Sequence, residues 1–284
     1  MDSTQTPSSP AVALPVVAFI GGGNMSSALV GGLLAAGADP ARLRIVEPFD
    51  EQRARLAQRF PGIELLAAAG APLHAARAVV WAVKPQQFSE AAAQCREHLR
   101  EALHVSIMAG VRCGAIARHT GASRMVRTMP NTPALIGRGI TGLYASERAG
   151  PADRAVADAL LAPAGARVWV DREELLDAVT AVSGSGPAYV FYLAEAMVRA
   201  GEELGLTAAQ ARELALATIS GAAELAQGSG DPLATLRANV TSKGGTTAAA
   251  IAVLDAAQVQ TRLREAMHAA ATRAKELGDA LDSA

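Results

Sequence analysis

Two kinds of apolar pattern divide the chain. Up to about residue 172, short runs dominated by apolar residues recur, the clearest being Ala78 to Val83, which stops at Lys84-Pro85. They are Val16 to Ile20, Leu43 to Val46, Ile63 to Leu66, Ala78 to Val83, His104 to Met108 and Arg124 to Met129. A run with no polar alternation is what a strand buried on both faces shows. Between the runs, apolar residues fall at helical spacing, as from Ser26 to Ala36, with Gly37 as its C′ residue, and from Asp50 to Phe60. Strands alternating with helices predict a parallel sheet covered on both faces, with ligands at the carboxyl ends of the strands.

Around Val168 to Asp171 the alternation stops, and from Glu173 the pattern is helical throughout. Helices are predicted over Leu175 to Val182, Ala188 to Leu204, a stretch capped by Thr207, one beginning at Asp231-Pro232, Thr246 to Ala256, and Val259 to Leu277. The expected architecture is α/β: an N-terminal Rossmann-like doubly wound sheet over residues 16–172, then an all-α C-terminal dimerisation domain over 173–284. Residues 1–15, rich in Ser, Thr and Pro and without Lys or Arg, read as a disordered tail and not as a signal peptide. The helical part is Ala-rich and poor in bulky side chains, so burial against a second copy is expected, giving a homodimer.

Composition narrows the function. Lys+Arg 26 against Asp+Glu 27 leaves no basic excess for nucleic acid. Apolar stretches are cut well short of the roughly 18 to 20 residues of a membrane span. Cys95 and Cys113 stand alone, without a CxxC or a His-Cys cluster, which predicts neither disulfides nor a metal site and fits a reducing cytoplasm.

The first run ends in Gly21-Gly22-Gly23-Asn24-Met25-Ser26. This Gly-x-Gly-x-x-Ser pattern lies between a strand and a helix, where bare backbone N–H groups meet a pyrophosphate. Ser26 replaces the usual Gly or Ala. No Gly-Lys-Ser/Thr follows, so a P-loop is excluded. Glu47 closes the second strand about 20 residues on, where an acid meets the adenosine ribose. A carboxylate there favours NAD, while Arg53 and Arg55 nearby could take the 2′-phosphate of NADP, so both NADPH and NADH stay open as cofactors. Ala82-Val83-Lys84-Pro85-Gln86 and Met129-Pro130-Asn131-Thr132-Pro133 end two further strands on the same edge. Ser183-Gly184-Ser185-Gly186-Pro187-Ala188-Tyr189 and Asn239-Val240-Thr241-Ser242-Lys243-Gly244-Gly245-Thr246-Thr247 place small hydroxyl residues and glycines before helices, an arrangement that offers donors to a carboxylate. Strand-end turns and helix caps explain each stretch singly.

Together these motifs resemble the Δ1-pyrroline-5-carboxylate reductase family from about Val17 to Leu277. Lys243 departs from the family, which often has Pro before the two glycines. The resemblance implies reduction of 1-pyrroline-5-carboxylate to L-proline by hydride transfer from NADPH or NADH, in an intertwined dimer that in relatives often assembles into a decamer. It implies that Gly21, Gly22, Gly23, Asn24 and Met25 hold the pyrophosphate, with Glu47 at the ribose. Ala82, Val83, Lys84, Pro85, Ala109 and Gly110 would line the nicotinamide side. Asn239, Gly244, Gly245 and Thr246 would hold the substrate, with Ser242 and Thr247 as the catalytic pair. A β-hydroxyacid dehydrogenase has a similar layout, but its family pattern places a catalytic Lys in the first turns after Ser183-Gly184-Ser185-Gly186, where this chain has none. Another NAD(P)-dependent imine or 3-hydroxyacid reductase, or a non-catalytic nucleotide-sensing protein, is the alternative.

Overall fold

The structure, a computed structural model, describes residues 14–282. The tail expected over residues 1–15 lies outside the described residues except for Leu14 and Pro15. In chain order the sheet unit contains β1 (Val17–Ile20), α1 (Asn24–Ala35), β2 (Leu43–Val46), α2 (Asp50–Arg59), β3 (Glu64–Leu66), β4 (Ala78–Trp81) and α3 (Phe88–Leu99). It continues with β5 (Leu103–Ser106), α4 (Cys113–Thr120), β6 (Met125–Met129), β7 (Gly139–Ala145), α5 (Pro151–Leu161), β8 (Gly165–Trp169) and α6 (Leu175–Val179). The eight strands lie in the order β3-β2-β1-β4-β5-β6-β7-β8. Strands β1 to β6 run parallel, and β7 pairs antiparallel with β6.

Alternate residues of each central strand feed two cores. Val17, Phe19 and Val80 join Leu29, Val30 and Leu33 of α1 and Leu160 and Leu161 of α5. Ala18, Ile20, Val79 and Trp81 join Phe88, Cys95 and Leu99 of α3 and Ile116 of α4. That two-sided burial is why the runs are continuously apolar. Strand β7 was not expected. Its Gly139-Ile140-Thr141-Gly142 opening is neither continuously apolar nor regularly alternating. It forms because the turn over Thr132–Ile136 sends the chain back along β6, pairing Met129 with Gly142 and Val126 with Ala145.

The chain separates into two compact units. One runs to Gly184 and includes Ala271 onward, and the other is Ser185–Ala270. The division falls past residue 172 because the following segment is tied to the sheet unit. Glu173 Oε1 accepts from the Cys113 backbone N–H at 2.8 Å and from Arg127 at 3.2 Å. The Asn131 amide donates to the Ser183 carbonyl at 3.2 Å, so helix α6 and the widened turn Thr180–Gly184 stay with the sheet.

The second unit holds α7 (Gly186–Glu203), α8 (Ala208–Gly228), α9 (Leu233–Asn239), α10 (Thr246–Ala256) and the start of α11 (Val259–Asp282). Thr207 and Gln210 form the expected cap of α8 as a reciprocal capping box. Helix α9 starts one residue later than expected, since Pro232 keeps an extended ψ of 143°. Helix α11 runs five residues past the expected Leu277, to Asp282, for a reason that lies in the sheet unit and is described below.

One buried group makes stability pH-dependent. His104 is fully enclosed between Trp81, whose Nε1–H donates to Nδ1 at 3.0 Å, and the Leu99 carbonyl, 2.9 Å from Nε2. Burial lowers its pKa from 6.5 to about 4, with Arg124 adding to the effect and the Leu99 contact opposing it. The unfolded chain therefore takes up this proton first as pH falls. Stability contributed by neutral His104 is complete above about pH 6.5 and is lost as pH drops toward 4, on the order of 3 kcal/mol in all. Denaturant midpoints measured across that window are expected to fall in the native protein and to fall clearly less in His104→Gln. Identical pH profiles would show that His104 is not the titrating group.

Candidate active site

The glycine turn is fixed from three sides. The Gly21 N–H donates to the Val46 carbonyl at 2.9 Å, which places the end of β1 beside the end of β2. Gly21 has a φ of +100°, and a Cβ there would stand 2.8 Å from the Ala82 carbonyl oxygen, so only glycine fits the turn. The Gly22 N–H donates to Glu47 Oε2 at 2.9 Å, and the second oxygen, Oε1, accepts from the Phe49 N–H at 3.1 Å. A Cβ at Gly22 would meet Leu56 Cδ1 at 2.5 Å and Glu47 Oε2 at 3.2 Å. Gln52 Nε2 donates to the Gly22 carbonyl at 2.6 Å. Ser26, buried, donates through Oγ to the Gly21 carbonyl at 2.6 Å. The departure from the usual glycine fingerprint thus adds a hydrogen bond that Gly or Ala could not make.

Gly23 behaves differently. It is exposed, it is the N-cap of α1, and nothing lies within 4 Å of where its Cβ would be. The opening at the α1 N-terminus is where a helix presents N–H groups to an anion. Asn24 is exposed there, while Met25 is half-buried with its side chain against the core, leaving its backbone for a ligand. The turn borders a cavity of about 340 Å³ lined by Gly21, Gly22, Gly23, Glu47, Phe49, Ala82, Val83 and Lys84, among others. Arg53 and Arg55 each have a partner, at Glu47 or on their own helix. Arg53 donates to the Glu47 carbonyl at 2.7 Å and is ion-paired with Asp50, and Arg55 pairs with Glu51 at 3.7 Å.

The remaining strand-end residues border a second cavity, of about 440 Å³. Pro85, Gln86, Ala109 and Gly110 line it together with Asp177 and Thr180. Lys84 and Pro85, adjacent in sequence, therefore face different cavities. Burial raises the Asp177 carboxyl above its ordinary range, with Arg127 and Arg112 opposing. The Met129 to Pro133 stretch is a brace. Asn131 Oδ1 accepts from the Ile140 N–H at 3.0 Å while its amide holds Ser183.

The expected substrate loop belongs to the helical unit. Gly245 is the N-cap of α10, with Thr246 and Thr247 in its first turn. The Gly245 N–H donates to the Ser242 carbonyl at 3.1 Å. The loop thus gathers Ser242, Gly244, Gly245, Thr246 and Thr247 at one helix start, while Asn239 ends α9 just before it. Ser242, Lys243, Gly244 and Thr246 are exposed.

Among the described residues no group of three His, Cys, Asp or Glu could hold a metal, and no helix is long and apolar enough to cross a membrane. Cys95 and Cys113 are buried free thiols, each pushed up to about 12 mainly by burial.

The strand order β3-β2-β1-β4-β5-β6, the glycine cradle and the open α1 terminus fit a dinucleotide, and they define the class as a Rossmann-type NAD(P)-dependent oxidoreductase. A family model described as pyrroline-5-carboxylate reductase dimerisation matches residues 173–277, and one described as coenzyme F420-dependent NADP oxidoreductase matches 16–110. A pyrroline-5-carboxylate reductase of Pseudomonas aeruginosa is 43% identical over 94% of this chain and 98% of its own length. One of Haemophilus influenzae is 39% identical over 92% and 97%. The solved structure of a pyrroline-5-carboxylate reductase from Coxiella burnetii superimposes with a TM-score of 0.86 at 36% identity, over 93% of this chain and 98% of that one. The chain belongs to the pyrroline-5-carboxylate reductase family.

The two fingerprint positions predict different defects. Gly21→Ala strains the turn and collides with Ala82, so affinity for ADP-ribose should fall more than tenfold by calorimetry. Ser26→Ala removes one buried hydrogen bond and should cost about 1 to 2 kcal/mol of stability at unchanged m-value, with ADP-ribose affinity within about threefold, as a helix-packing Ala allows. Tight binding by Gly21→Ala would refute the assignment of this turn to the cofactor.

Proposed function

We propose that this chain reduces 1-pyrroline-5-carboxylate to L-proline with NADPH or NADH, the final step of proline synthesis, in the cytoplasm. The observation that carries the reading is the clamped glycine turn at the strand ends, in a chain matched along nearly its whole length by reductases of that name. Residues 16–172 would form the cofactor domain and 173–284 the helical dimerisation and substrate domain. Gly21 to Met25 bind the pyrophosphate, Glu47 the adenosine ribose, and Ala82, Val83, Lys84, Pro85, Ala109 and Gly110 the nicotinamide side. Asn239, Gly244, Gly245 and Thr246 hold the substrate carboxylate at the start of α10, and Ser242 and Thr247 act beside the imine.

A homodimer is part of this reading. Within Ser185–Ala270 the buried side chains are Ala194, Ala211 and Ala215, while Phe191, Tyr192, Leu225, Leu233 and Val253 are exposed. Three alanines do not make a core, and a second copy packed on those faces would supply one. Further assembly into a decamer, as in relatives, is compatible with the same dimer.

The chemistry asks little acid–base work of the protein. When bound, the dinucleotide supplies a hydride to the C=N carbon. An imine that enters protonated accepts that electron pair as its C=N π bond collapses onto nitrogen, so charge is discharged and no alkoxide forms. The chain's tasks are then to hold the carboxylate with helix N-terminal donors and to align the reacting carbons. The Thr247 hydroxyl steadies the ring nitrogen, accepting from its N–H in the cation.

Oxidation of NADPH and of NADH in the presence of pyrroline-5-carboxylate tests the function, and no turnover with either would defeat it. Thr247→Ala should lower kcat/KM for the imine more than tenfold, about 1.4 kcal/mol or more in transition-state stabilisation, with dinucleotide affinity nearly unchanged. Weakened dinucleotide binding with normal imine kinetics would reverse the assignment. Glu47→Gln removes a charge that repels a 2′-phosphate, so the kcat/KM ratio of NADPH to NADH should rise. Because loosening of the turn affects both cofactors, the ratio isolates the charge, and an unchanged ratio would remove Glu47 from the ribose.

A further inference from the structure

The last turns of α11 grip the loop that follows β5. Arg112 Nη2 lies 2.7 Å from Asp279 Oδ1, and its Nη1 lies 3.1 Å from Asp282 Oδ2. Nη2 also donates to the Lys275 carbonyl at 3.4 Å. Arg118 reaches the same helix end, donating to the Asp282 carbonyl at 2.7 Å. Two guanidinium groups at a helix C-terminus oppose its partial negative charge, and Arg118 satisfies the free Asp282 carbonyl, which explains why α11 continues past Leu277.

Two glycines let side chains pack closely at this contact. A Cβ on Gly278 would stand 3.0 Å from Arg112 Nη2, and one on Gly110 would stand 3.1 Å from Leu281 Cδ1. Gly110 also has a φ of +80°, so its loop has a shape that a side chain would disturb. The second cavity lies at this junction. Ala109 and Gly110 line it from the loop, and Ala274, Leu277, Ala280 and Leu281 line it from α11. The Arg112 clamp is not needed for the glycine turn, whose hydrogen bonds are all made elsewhere.

We propose that Arg112 is a positioning residue for the nicotinamide. By pinning the end of α11 it makes that helix a wall of the second cavity and sets where the Ala109-Gly110 backbone stands. This rests on the reading that these loop residues face the nicotinamide. The consequence is a division of labour: the glycine turn and Glu47 carry the adenosine and pyrophosphate half, and the clamped loop carries the reactive half.

The full chain with Arg112→Ala, Leu281→Ala or Arg112→Lys tests this by calorimetry without imine, using ADP-ribose and NADH, or 2′-phospho-ADP-ribose and NADPH. In Arg112→Ala and Leu281→Ala, affinity for the truncated ligand should stay within twofold of the native value. Affinity for the dihydronicotinamide dinucleotide should fall threefold or more, and Arg112→Lys should recover most of it. With imine, kcat should drop about tenfold, about 1.4 kcal/mol, and the isotope effect from the C4-deuterated dinucleotide should rise as hydride transfer becomes slower. Native affinity for both ligands with an unchanged isotope effect, or equal loss of both affinities, would overturn the proposal. Should Arg112→Ala fail to fold, Leu281→Ala, which removes no charge, decides alone. Failure of the native protein to turn over the imine would count against the proposed reaction, while the two binding measurements would still judge the clamp.

Discussion

The interaction on which the site depends is the pair of hydrogen bonds that Glu47 accepts from Gly22 and Phe49. A carboxylate with so little exposure must have each oxygen satisfied, and here both partners are backbone N–H groups. The bond to Gly22 crosses from the end of β2 to the turn after β1. Since Leu56 and Glu47 fill the space where a Gly22 side chain would stand, the turn is pressed flat against its neighbour. That leaves Gly23 standing clear at the α1 terminus, the kind of position at which a helix offers N–H groups to an anion. The same carboxylate is thus structural before any ligand arrives, and its charge is fixed in place and cannot swing aside.

Topology then decides what else reaches this edge. Strand order reverses at β1, with β2 on one side and β4 on the other, and a crevice opens at such a switch point. The registers place Ile20 beside Val46 and Trp81, and Trp81 beside Ser106, so the loops that follow these strands leave the sheet at one level. The loop after β4 passes between two cavities, with Lys84 on one and Pro85 on the other.

What could be read from the residues was whatever depends on neighbours in sequence. The apolar runs marked six strands, most clearly the central ones that are buried on both faces, and Thr207 marked α8 because a capping box spans three residues. Features that depend on distant partners left no local trace. Strand β7 gains its pairing only from β6, and its glycines break the apolar run. Ser26 looked like a weak fingerprint because its hydroxyl's partner, the Gly21 carbonyl, is revealed only by the turn's geometry. Asn131 read as one residue of a rigid loop, whereas its amide joins Ile140 to Ser183. Arg112 carried no signal at all, since its partners lie some 170 positions away.

These long-range ties share one purpose that follows from the reaction class. A hydride transfer to a protonated imine needs no proton donor of matched pKa. What remains for the protein is alignment, and a near-attack geometry tolerates displacements of only about 1 Å before the rate suffers. Flexible side chains are poor instruments for that precision, while backbone pinned by buried polar groups is a good one. Glu47 under the glycine turn holds backbone in that way, and the half-buried Asn131 ties the Ser183 carbonyl to the Ile140 N–H. In this chemistry rigidity takes over the part that acid–base residues play in carbonyl reduction.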